Sequence, residues 1–275
     1  MMMRNALLAA AALLVVTAGS GAAILASETK APGTDAQALA TAIAGSNRSE
    51  ANRARDKYRH PAETLAFFGV APTDTVVEYN PGGGGWYTEI LAPYLATKGA
   101  YYAAQPGTRG LDALKTKFGG APAAYAKAKL VAWPPSSAAI PDGSADKVLT
   151  FRNVHNMIMS GGTAADDNFA AFYRVLKPGG VLGVVDHRLP ENRDIALEKK
   201  SGYVKRSTVI ALAEKAGFKL IDESEINANP KDSADWPDGV WTLPPALAKK
   251  DVDREKYLAI GESDRMTLKF QKPKR

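Results

Sequence analysis

Short apolar runs alternate with longer amphipathic runs from about residue 60 to the C-terminus. The runs TVVEY, AYYAAQ, AKLVAW, DKVLTF, VLGVVDH, KLIDESEI and RMTLKFQK predict seven β-strands. Segments with apolar residues three and four positions apart lie between the first six strands and predict helices. This alternation predicts an α/β fold: a doubly wound, seven-stranded, mostly parallel sheet with helices on both faces and an antiparallel last strand.

Proline and glycine mark the ends of several predicted helices. In HPAETLAFFGV, Pro61 suits the first helical position and Gly69 suits the position after the last turn. In WYTEILAPYLATKG, Pro93 is expected to kink the helix or shorten its regular part. The helix in RSTVIALAEKAGF is expected to close at Gly217.

The first 26 residues have the pattern of a targeting segment. One positive charge, Arg4, precedes an apolar run that ends in small residues, as in a cleavable signal peptide. Because residues 5–26 nearly reach spanning length, an uncleaved membrane anchor is the alternative. Cleavage gives an exported, periplasmic protein, and the anchor gives a membrane-bound protein facing the periplasm. Residues 27–47 are predicted to be a linker running into a weak helix, and residues 48–275 the folded domain.

Composition narrows the possible partners. The net charge is +6, but 35 basic and 29 acidic residues are interspersed, without a basic stripe that contains aromatic residues. This distribution argues against a nucleic-acid partner and favours a small-molecule substrate. The chain has no cysteine, which excludes disulfides and thiolate chemistry. A membrane partner is expected only if the N-terminal segment stays uncleaved, and the sequence predicts no oligomeric state.

The most informative local pattern is the glycine turn after the first strand, VVEYNPGGGG. Glycines at alternate positions let the backbone approach a ligand at the start of the next helix. A phosphate-binding loop is excluded because no Lys-Ser/Thr pair follows, and a dinucleotide-binding turn would need glycine where Tyr87 stands. The remaining pattern is E-x-G-x-G-x-G from Glu78, with Asn80 in place of the first glycine. Asparagine tolerates left-handed backbone angles, so this replacement is mild.

With this turn, the chain resembles the class I S-adenosylmethionine-dependent methyltransferases. VVEYNPGGGGWYTEIL is similar to their first motif, DKVLTFRNVHN to the fourth-strand motif, and FYRVLKPGGVLGVVDHR to the following helix, turn and fifth strand. RDKYRHPAETLAFFGV, NANPKDSADWPDGVWTLPP and GESDRMTLKF resemble a branch of exported bacterial predicted methyltransferases. The resemblance implies a Rossmann-like fold, S-adenosyl-L-methionine as cofactor, and methyl transfer to an acceptor.

The resemblance also implies a set of cofactor-binding residues. They are Glu78, Asn80, Gly82, Gly84, Gln105 and Asn153. Gln105 stands at the end of the second strand, where family members usually carry an acid that binds the ribose hydroxyls. Its amide is expected to hydrogen-bond the ribose without supplying charge. Trp133 is a candidate to stack on adenine, although a core position is the simpler interpretation.

Three histidines are expected at the edge of the sheet where the parallel strands end. His155 follows the fourth strand, His187 ends the fifth, and His60 begins the helix that leads down into the first. Three interpretations remain open. His60 caps its helix and His187 is hydrogen-bonded beside Asp186; His155 is a general base; or the three histidines bind a metal in a metal-dependent enzyme. The candidate catalytic residues are His155, His187 and Tyr58.

The long connection at residues 224–262 is predicted to be a lid, since it leaves and returns to the ligand edge. The candidate substrate contacts are His60, Tyr203, Asn227, Asn229, Asp232 and Arg265. The Asn/Asp-Pro-Pro-aromatic signature of nucleic-acid amino methylases is missing. An exported methyltransferase for a small-molecule or lipid-like acceptor is therefore predicted. The alternative is a non-catalytic exported protein that keeps this fold and binds a small molecule.

Overall fold

The computed structural model describes residues 33–274. The predicted signal segment, residues 1–26, lies outside this range. None of the helices between residues 33 and 274 combines the length and the apolar composition needed to span a bilayer. Eight strands are formed: β1 Thr75–Tyr79, β2 Ala100–Gln105, β3 Ala128–Ala132, β4 Ala145–Phe151, β5 Leu176–Leu189, β6 Val204–Lys205, β7 Lys219–Ser224 and β8 Arg265–Gln271.

Seven of these strands form the predicted sheet in the order β3-β2-β1-β4-β5-β8-β7. All pairings are parallel except those of β8, which runs antiparallel to both β5 and β7. The predicted α/β fold and the antiparallel last strand are confirmed. The two-residue β6 pairs with the end of β5 and was not predicted. Because β1 lies between β2 and β4, the strand order reverses at β1, the position where sheets of this kind bind ligands.

Helices cover both faces of the sheet. They are α1 Ala36–Ile43, α2 Glu50–Arg53, α3 Asp56–Arg59, α4 Pro61–Phe67, α5 Thr88–Leu95, α6 Thr108–Gly120, α7 Pro122–Tyr125, α8 Val154–Ser160, α9 Ala164–Val175, α10 Arg206–Lys215 and α11 Arg254–Ile260. Alternate residues of β1 separate the two cores: Val77 and Tyr79 pack with α9 on one face, and Val76 packs with α4 and α5 on the other.

The prolines and glycines at the helix ends have the positions that the sequence predicts. Pro61 is the first residue of α4, and Gly69 follows its end with φ of 68°. Helix α5 ends only two residues after Pro93, so its regular part is short. Gly217, with φ of 101°, closes α10. These ends set where the adjoining strands begin.

The weak helix expected within residues 27–47 is α1, whose Leu39 and Ala42 pack into the core beside α5. Two other segments differ from the prediction. Helix α8 was not predicted. The predicted turn KPGG is part of β5: Leu176 pairs with Ala145 and the next pair is Val181 with Lys147, so four residues bulge out of the ladder.

The predicted lid, residues 224–262, carries structure of its own. It contains a 3₁₀ helix at Gly239–Thr242 and then α11. The Asp232 carboxylate anchors it by accepting hydrogen bonds from Tyr203 Oη, Trp236 Nε1 and the Asp264 backbone N–H. A small apolar cluster lies beneath the lid and contains Leu189, Tyr203, Ala234 and Val240. The segment is therefore an ordered cover rather than a loose loop.

Candidate functional site

The glycine turn leaves open space beside its backbone. Asn80, Gly82 and Gly85 have φ of 50°, 67° and 52°, so the left-handed conformation expected for Asn80 is present. A Cβ placed on Gly82 or Gly84 would meet no atom within 4 Å. The absence of side chains therefore keeps a space free at the switch point of the sheet, as a bound ligand requires.

A polar network holds the turn in this shape. Asn80 Nδ2 donates to Asn153 Oδ1 at 2.9 Å, and Asn153 Nδ2 donates to the Tyr79 carbonyl at 3.0 Å. Gln105 Nε2 donates to Asn80 Oδ1 and to the Pro106 carbonyl, while Gln105 Oε1 accepts from the Gly82 N–H at 3.1 Å. Both ends of the Gln105 amide are thus engaged by protein groups. Gln105 stands where the sequence predicts, but here it fixes the turn rather than presenting a free amide to a ribose.

Glu78 lies beneath the turn. Its carboxylate is buried, and Oε2 accepts hydrogen bonds from Thr88 Oγ1 at 3.0 Å and from Tyr101 Oη. Burial raises the pKa of Glu78 to about 7, although both hydroxyl donors act in the opposite direction. Oε1 has no hydrogen-bond partner within residues 33–274. Glu78 is thus a buried acid with one unused oxygen.

Trp133 is a core residue that also borders a cavity. It is 8% exposed, its ring meets Tyr79 edge to face, and Nε1 donates to Asn168 Oδ1 at 2.7 Å. With Pro106 and Pro134 it lines a space of about 300 Å³ beside the ends of β2 and β3. The core interpretation is right, and the same ring is available to a planar ligand at the cavity wall.

A second cavity of about 300 Å³ lies between the turn, the ends of β4 and β5, and the lid. We call it the rim cavity. Its polar wall contains Asn80, Arg152, Asn153, His155, Asn156, His187, Glu262 and Ser263, and its apolar wall contains Val240, Trp241, Leu243, Pro244 and Pro245. The two walls suit a ligand with one polar and one apolar part.

His155 and Asp186 form a buried pair on the polar wall. Asp186, in β5, accepts hydrogen bonds from the backbone N–H groups of Val154 and His155, which begin α8, and from that of His187. His155 Nδ1 lies 2.7 Å from Asp186 Oδ1. A carboxylate only accepts, so Nδ1 carries the proton and Nε2 is left as a proton acceptor. This arrangement is that of a general base oriented by an acid.

His187 differs from His155 in its surroundings. The two rings lie 4.9 Å apart, and His187 Nδ1 is hydrogen-bonded to Ser263 Oγ. Burial lowers the pKa of His187 well below its usual range, and the neighbouring His155 and Arg152 lower it further. His187 is therefore a neutral hydrogen-bonding group beside the base.

The three-histidine metal site is not formed. Ligand atoms of His155, Asp186 and His187 lie within 4.8 Å of one another, but His60 is not among them. His60 instead lines a separate cavity of about 240 Å³. Both oxygens of Asp186 already accept N–H donors, which a metal would have to displace. His60 occupies the N-cap position of α4 and its carbonyl accepts from the Thr64 N–H, but its side chain makes no capping hydrogen bond.

Most of the predicted substrate contacts lie away from the rim cavity. Tyr58, His60, Asn227, Asn229 and Arg265 line the separate cavity, and Glu262 and Ser263 border both. These residues therefore line a cavity that adjoins the rim cavity at Glu262 and Ser263, and their roles in binding or catalysis stay predictions. Tyr203 is fully buried and bonded to Asp232, so neither residue reaches a ligand in the rim cavity.

The two asparagines have structural roles. Asn227 Nδ2 donates to Thr64 Oγ1 and to Thr267 Oγ1, at 3.0 Å and 2.9 Å. Asn229 Nδ2 donates to the carbonyls of Ile260 and Glu262. Asn227 thus ties the start of the lid to α4 and β8, and Asn229 ties the two ends of the lid to each other, which explains amide side chains at these positions.

Sequence reasoning missed three residues of the polar wall and its support: Arg152, Asp186 as the partner of His155, and Glu262. Arg152 follows β4 with φ of 62°, an uncommon conformation for a residue other than glycine. Glu262 forms ion pairs with Arg55, Arg59 and Arg265. The only local signal was the position of Arg152 close to His155 and of Asp186 directly beside His187, near the ends of the fourth and fifth strands.

Comparison with known proteins agrees with this architecture. A family model described as a methyltransferase domain matches residues 81–184, the segment from the glycine turn into β5. Among curated proteins, none is similar enough in sequence to count as a relative. Two solved structures were aligned over most of the chain and are similar in fold.

One is an S-adenosylmethionine-dependent methyltransferase from Aquifex aeolicus, with 15% identity and a TM-score of 0.55, covering 86% of this chain and 98% of that one. The other is the [4+2]-cyclase SpnF, with 14% identity and a TM-score of 0.53, covering 87% and 93%. Likeness at this level establishes the fold. Because the second protein is described as a cyclase, the reaction has to be argued from the site.

Proposed function

We propose that this chain, a member of the class I S-adenosylmethionine-dependent methyltransferase superfamily, methylates a small-molecule or lipid-like acceptor outside the cytoplasm. One observation carries the proposal. The rim cavity reaches from the glycine turn to His155, whose Nε2 is left as a proton acceptor by the Asp186 contact. The glycine turn and a base thus border one cavity.

The residues present fit S-adenosylmethionine. When bound, the cofactor supplies an electrophilic methyl group on a sulfonium. The open space beside Gly82 and Gly84 accommodates its backbone-facing part, and Glu78 Oε1 is available to the ammonium group of its methionine end. The cavity at Pro106 and Trp133 would hold its adenine ring. Gln105 and Asn153 support these contacts by holding the turn.

His155 accepts the acceptor's proton at Nε2 as the methyl group arrives. Asp186 holds the imidazole in the required tautomer and stabilises the imidazolium that forms. The apolar wall of the lid, which includes Trp241 and Pro244, excludes water from the reacting atoms. Catalysis then depends mainly on positioning, with His155 supplying general-base assistance.

The size of the rim cavity supports a small acceptor. A volume of about 300 Å³ lies at the lower end of the range for small-molecule sites and holds a compact molecule or the head of a larger one. Its apolar wall favours an acceptor with a hydrocarbon part. Export of the protein is inferred from the pattern of residues 1–26. Fractionation of cells that make the full chain tests this inference, and recovery only in the cytosol would contradict it.

Calorimetry of residues 27–275 with S-adenosylmethionine and S-adenosylhomocysteine tests cofactor binding. Gly84→Val fills the open space without backbone strain, because Gly84 lacks a positive φ and its Cβ meets nothing. This variant is expected to fold and to lose at least about tenfold in affinity, since bulk replaces ligand volume. Gly120→Val, at an exposed helix end with equal free space, is the matched control.

No binding at millimolar ligand would reject the methyltransferase proposal. Cofactor binding without turnover on any acceptor would instead favour the non-catalytic binding protein. Once an acceptor is found by screening for S-adenosylhomocysteine release, His155→Gln is expected to keep cofactor affinity within about twofold. Its turnover is expected to fall on the order of a hundredfold, the usual contribution of a general base.

A further inference from the structure

Four arginines surround the single carboxylate of Glu262. Arg55 Nε lies 2.5 Å from Glu262 Oε1, while Arg59 Nε and Arg265 Nη1 lie 3.3 Å and 3.2 Å from Oε2. Arg152 is the fourth, near enough for the charge of Glu262 to act on its pKa. The next carboxylate, Asp186, is already bound by His155 and three backbone N–H groups. Positive charge is thus in excess at this place.

The hydrogen-bonding capacity of this cluster is also unmet. Arg55 Nη2, Arg59 Nη2 and Arg265 Nε are buried and lack a hydrogen-bond partner within the described part of the chain. Arg59 and Arg265 are each only 3% exposed. Buried donors and buried like charges are costly unless something compensates them. In most folded proteins such groups are paired, so an excess of this kind indicates a missing anion.

Arg152 is the member of the cluster that reaches the rim cavity. Its side chain is partly buried, lines the cavity, and makes no hydrogen bond or ion pair with any residue from 33 to 274. Burial, together with the charges of Arg265 and Arg55, lowers the pKa of Arg152 to about 10, although Glu262 acts to raise it. The guanidinium remains cationic at neutral pH. The Arg152 guanidinium, with its positive charge and unpaired N–H donors, therefore borders the same cavity as His155.

We propose that the rim cavity binds a carboxylate or phosphate group of the methyl acceptor, and that Arg152 contacts this anion directly. The identification of this ligand as the methyl acceptor rests on the proposed function. A planar guanidinium matches both anions with two parallel hydrogen bonds. The charges of Arg59 and Arg265 attract the anion electrostatically without contacting it. The apolar wall of the lid covers the rest of the ligand, so the acceptor is an amphipathic acid.

The position of Arg152 assigns the anion to the acceptor rather than to the cofactor carboxylate. Arg152, His155 and His187 line the rim cavity together with the lid, and they stand at the ends of β4 and β5. The cofactor space lies beside Gly82 and Gly84, and the cavity for adenine lies beyond it at Trp133. An anion held by Arg152 leaves the cofactor space free and keeps the acceptor beside the base.

Titration of residues 27–275 with inorganic phosphate tests the subsite without knowledge of the acceptor. Phosphate at saturating concentration is expected to raise the melting temperature by about 2 °C or more above a chloride control of equal ionic strength. Arg152→Gln should weaken phosphate binding by about tenfold to a hundredfold, the effect of losing charge-assisted hydrogen bonds. Arg152→Lys should retain part of the affinity. Arg254→Gln, an exposed arginine outside the cluster, is the matched control.

Absence of phosphate binding, or equal binding by Arg152→Gln and the unchanged chain, would overturn the proposal. Because the Arg152 guanidinium has no protein partner, Arg152→Gln is expected to fold, which circular dichroism and the melting curve verify. Failure of cofactor binding would leave the phosphate result intact. The anion subsite and the methyltransferase activity can therefore fail independently.

A second titration distinguishes the source of the anion. With S-adenosylhomocysteine saturating, phosphate is expected to bind with unchanged affinity, since the cofactor and the anion occupy different parts of the site. Competition between the two would assign Arg152 to the cofactor carboxylate and overturn the acceptor assignment. Among acceptors found by screening, a carboxylated compound should be preferred over its neutral amide at least about tenfold, and Arg152→Gln should abolish that preference.

Discussion

The glycine turn and the arginine cluster both contribute residues to the rim cavity and satisfy their polar groups very differently. In the turn, Asn80, Asn153 and Gln105 bond one another and the backbone, and Gln105 has no polar atom left over. In the cluster, one carboxylate faces four guanidinium groups, and several donors lack partners. The turn is preorganised by the protein alone, whereas the cluster is complete only with an added anion.

This contrast separates two tasks of one site. The cofactor, which is the same for every acceptor, is held by the rigid glycine turn, and internal hydrogen bonds keep the shape of that turn. An acceptor that must be distinguished from other molecules is selected by a charge that remains unmet until the correct ligand arrives. The same comparison orders the expected effects of mutation.

The largest effect is expected from Glu262→Gln. This change leaves the buried Arg59 and Arg265 and the partly exposed Arg55 without their shared anion, and should cost about 3–5 kcal/mol of unfolding free energy. Urea denaturation measures it, with phosphate expected to restore part of the loss. Glu225→Gln, which breaks an exposed pair with Arg188, should cost less than about 1 kcal/mol. Similar losses of unfolding free energy in the two variants would mean that the arginine cluster does not depend on the Glu262 carboxylate for charge compensation.

The contribution of Glu262 to the free energy of unfolding depends on pH, and the direction follows from its pKa. Burial would raise the pKa of Glu262, but Arg59, Arg265 and Arg55 lower it from 4.5 to about 2. Its contribution to stability is therefore present above pH 4.5 and is lost as the pH falls toward 2. Glu262→Gln should lack this part of the acid transition.

A smaller effect of opposite sign is expected from Glu78. Its pKa is raised by burial from 4.5 to about 7, so the folded state holds a proton that the unfolded state releases. Stability should therefore fall as the pH rises from about 4.5 through 7, by up to about 3 kcal/mol, and this fall should be absent in Glu78→Gln. Urea denaturation at pH 5 and pH 8 measures the difference.

Glu78 also links the turn to ligand binding. Deprotonation above pH 7 should strengthen binding of S-adenosylhomocysteine through its ammonium group, and Glu78→Gln should flatten that dependence. Calorimetry between pH 6 and pH 8 tests this expectation. A flat profile for the unchanged chain would place the ammonium group away from Glu78.

A loss of about 1–2 kcal/mol is expected for Gln105→Glu. A carboxylate at this position cannot donate to Asn80 Oδ1 or to the Pro106 carbonyl, so the turn loses two of its bonds. The variant introduces the acid that the resemblance implies at this position, yet it should weaken cofactor binding through disorder of the turn. Tighter binding by this variant would show that Gln105 contacts the ribose rather than fixing the turn. Denaturation and calorimetry on the same samples separate the two effects.

The smallest effect on stability is expected for Arg152→Gln. Burial and neighbouring cations disfavour the charge of Arg152, and no protein bond is lost, so stability should stay unchanged or rise by up to about 1 kcal/mol. Comparison of its denaturation curve with that of Glu262→Gln tests the contrast within one cluster. A loss of more than about 2 kcal/mol would reveal a structural role for Arg152.

Several parts of this site were predictable from local patterns. Each parallel strand ends at the same edge of the sheet, so His155 and His187 were expected to approach each other, and their rings lie 4.9 Å apart. The spacing of Glu78, Gly82 and Gly84 indicated the turn, and Pro61 and Gly69 marked the ends of α4. In each case the determinant lies within a few residues, where backbone geometry translates spacing directly into position.

Other parts depended on contacts that no local pattern records. Arg55 and Glu262 are 207 residues apart in the chain, and their pairing follows from how the lid returns to the sheet. Glu262 therefore borders both the rim cavity and the cavity that His60 lines, so His60 stands in a cavity next to that of His155. The assignment of Asp186 to His155 rather than to His187 depends on α8, a helix that the sequence did not reveal.

By itself, the sequence determined the fold class, the glycine turn and the edge of the sheet at which the candidate site lies. These properties follow from short-range periodicity and from residues that restrict the backbone. Tertiary structure alone decided which side chains share a cavity, which oxygen accepts which proton, and where charge is left unpaired. Those properties arise from side chains brought together by chain reversals across the whole domain, where burial removes the water that would otherwise screen and solvate them.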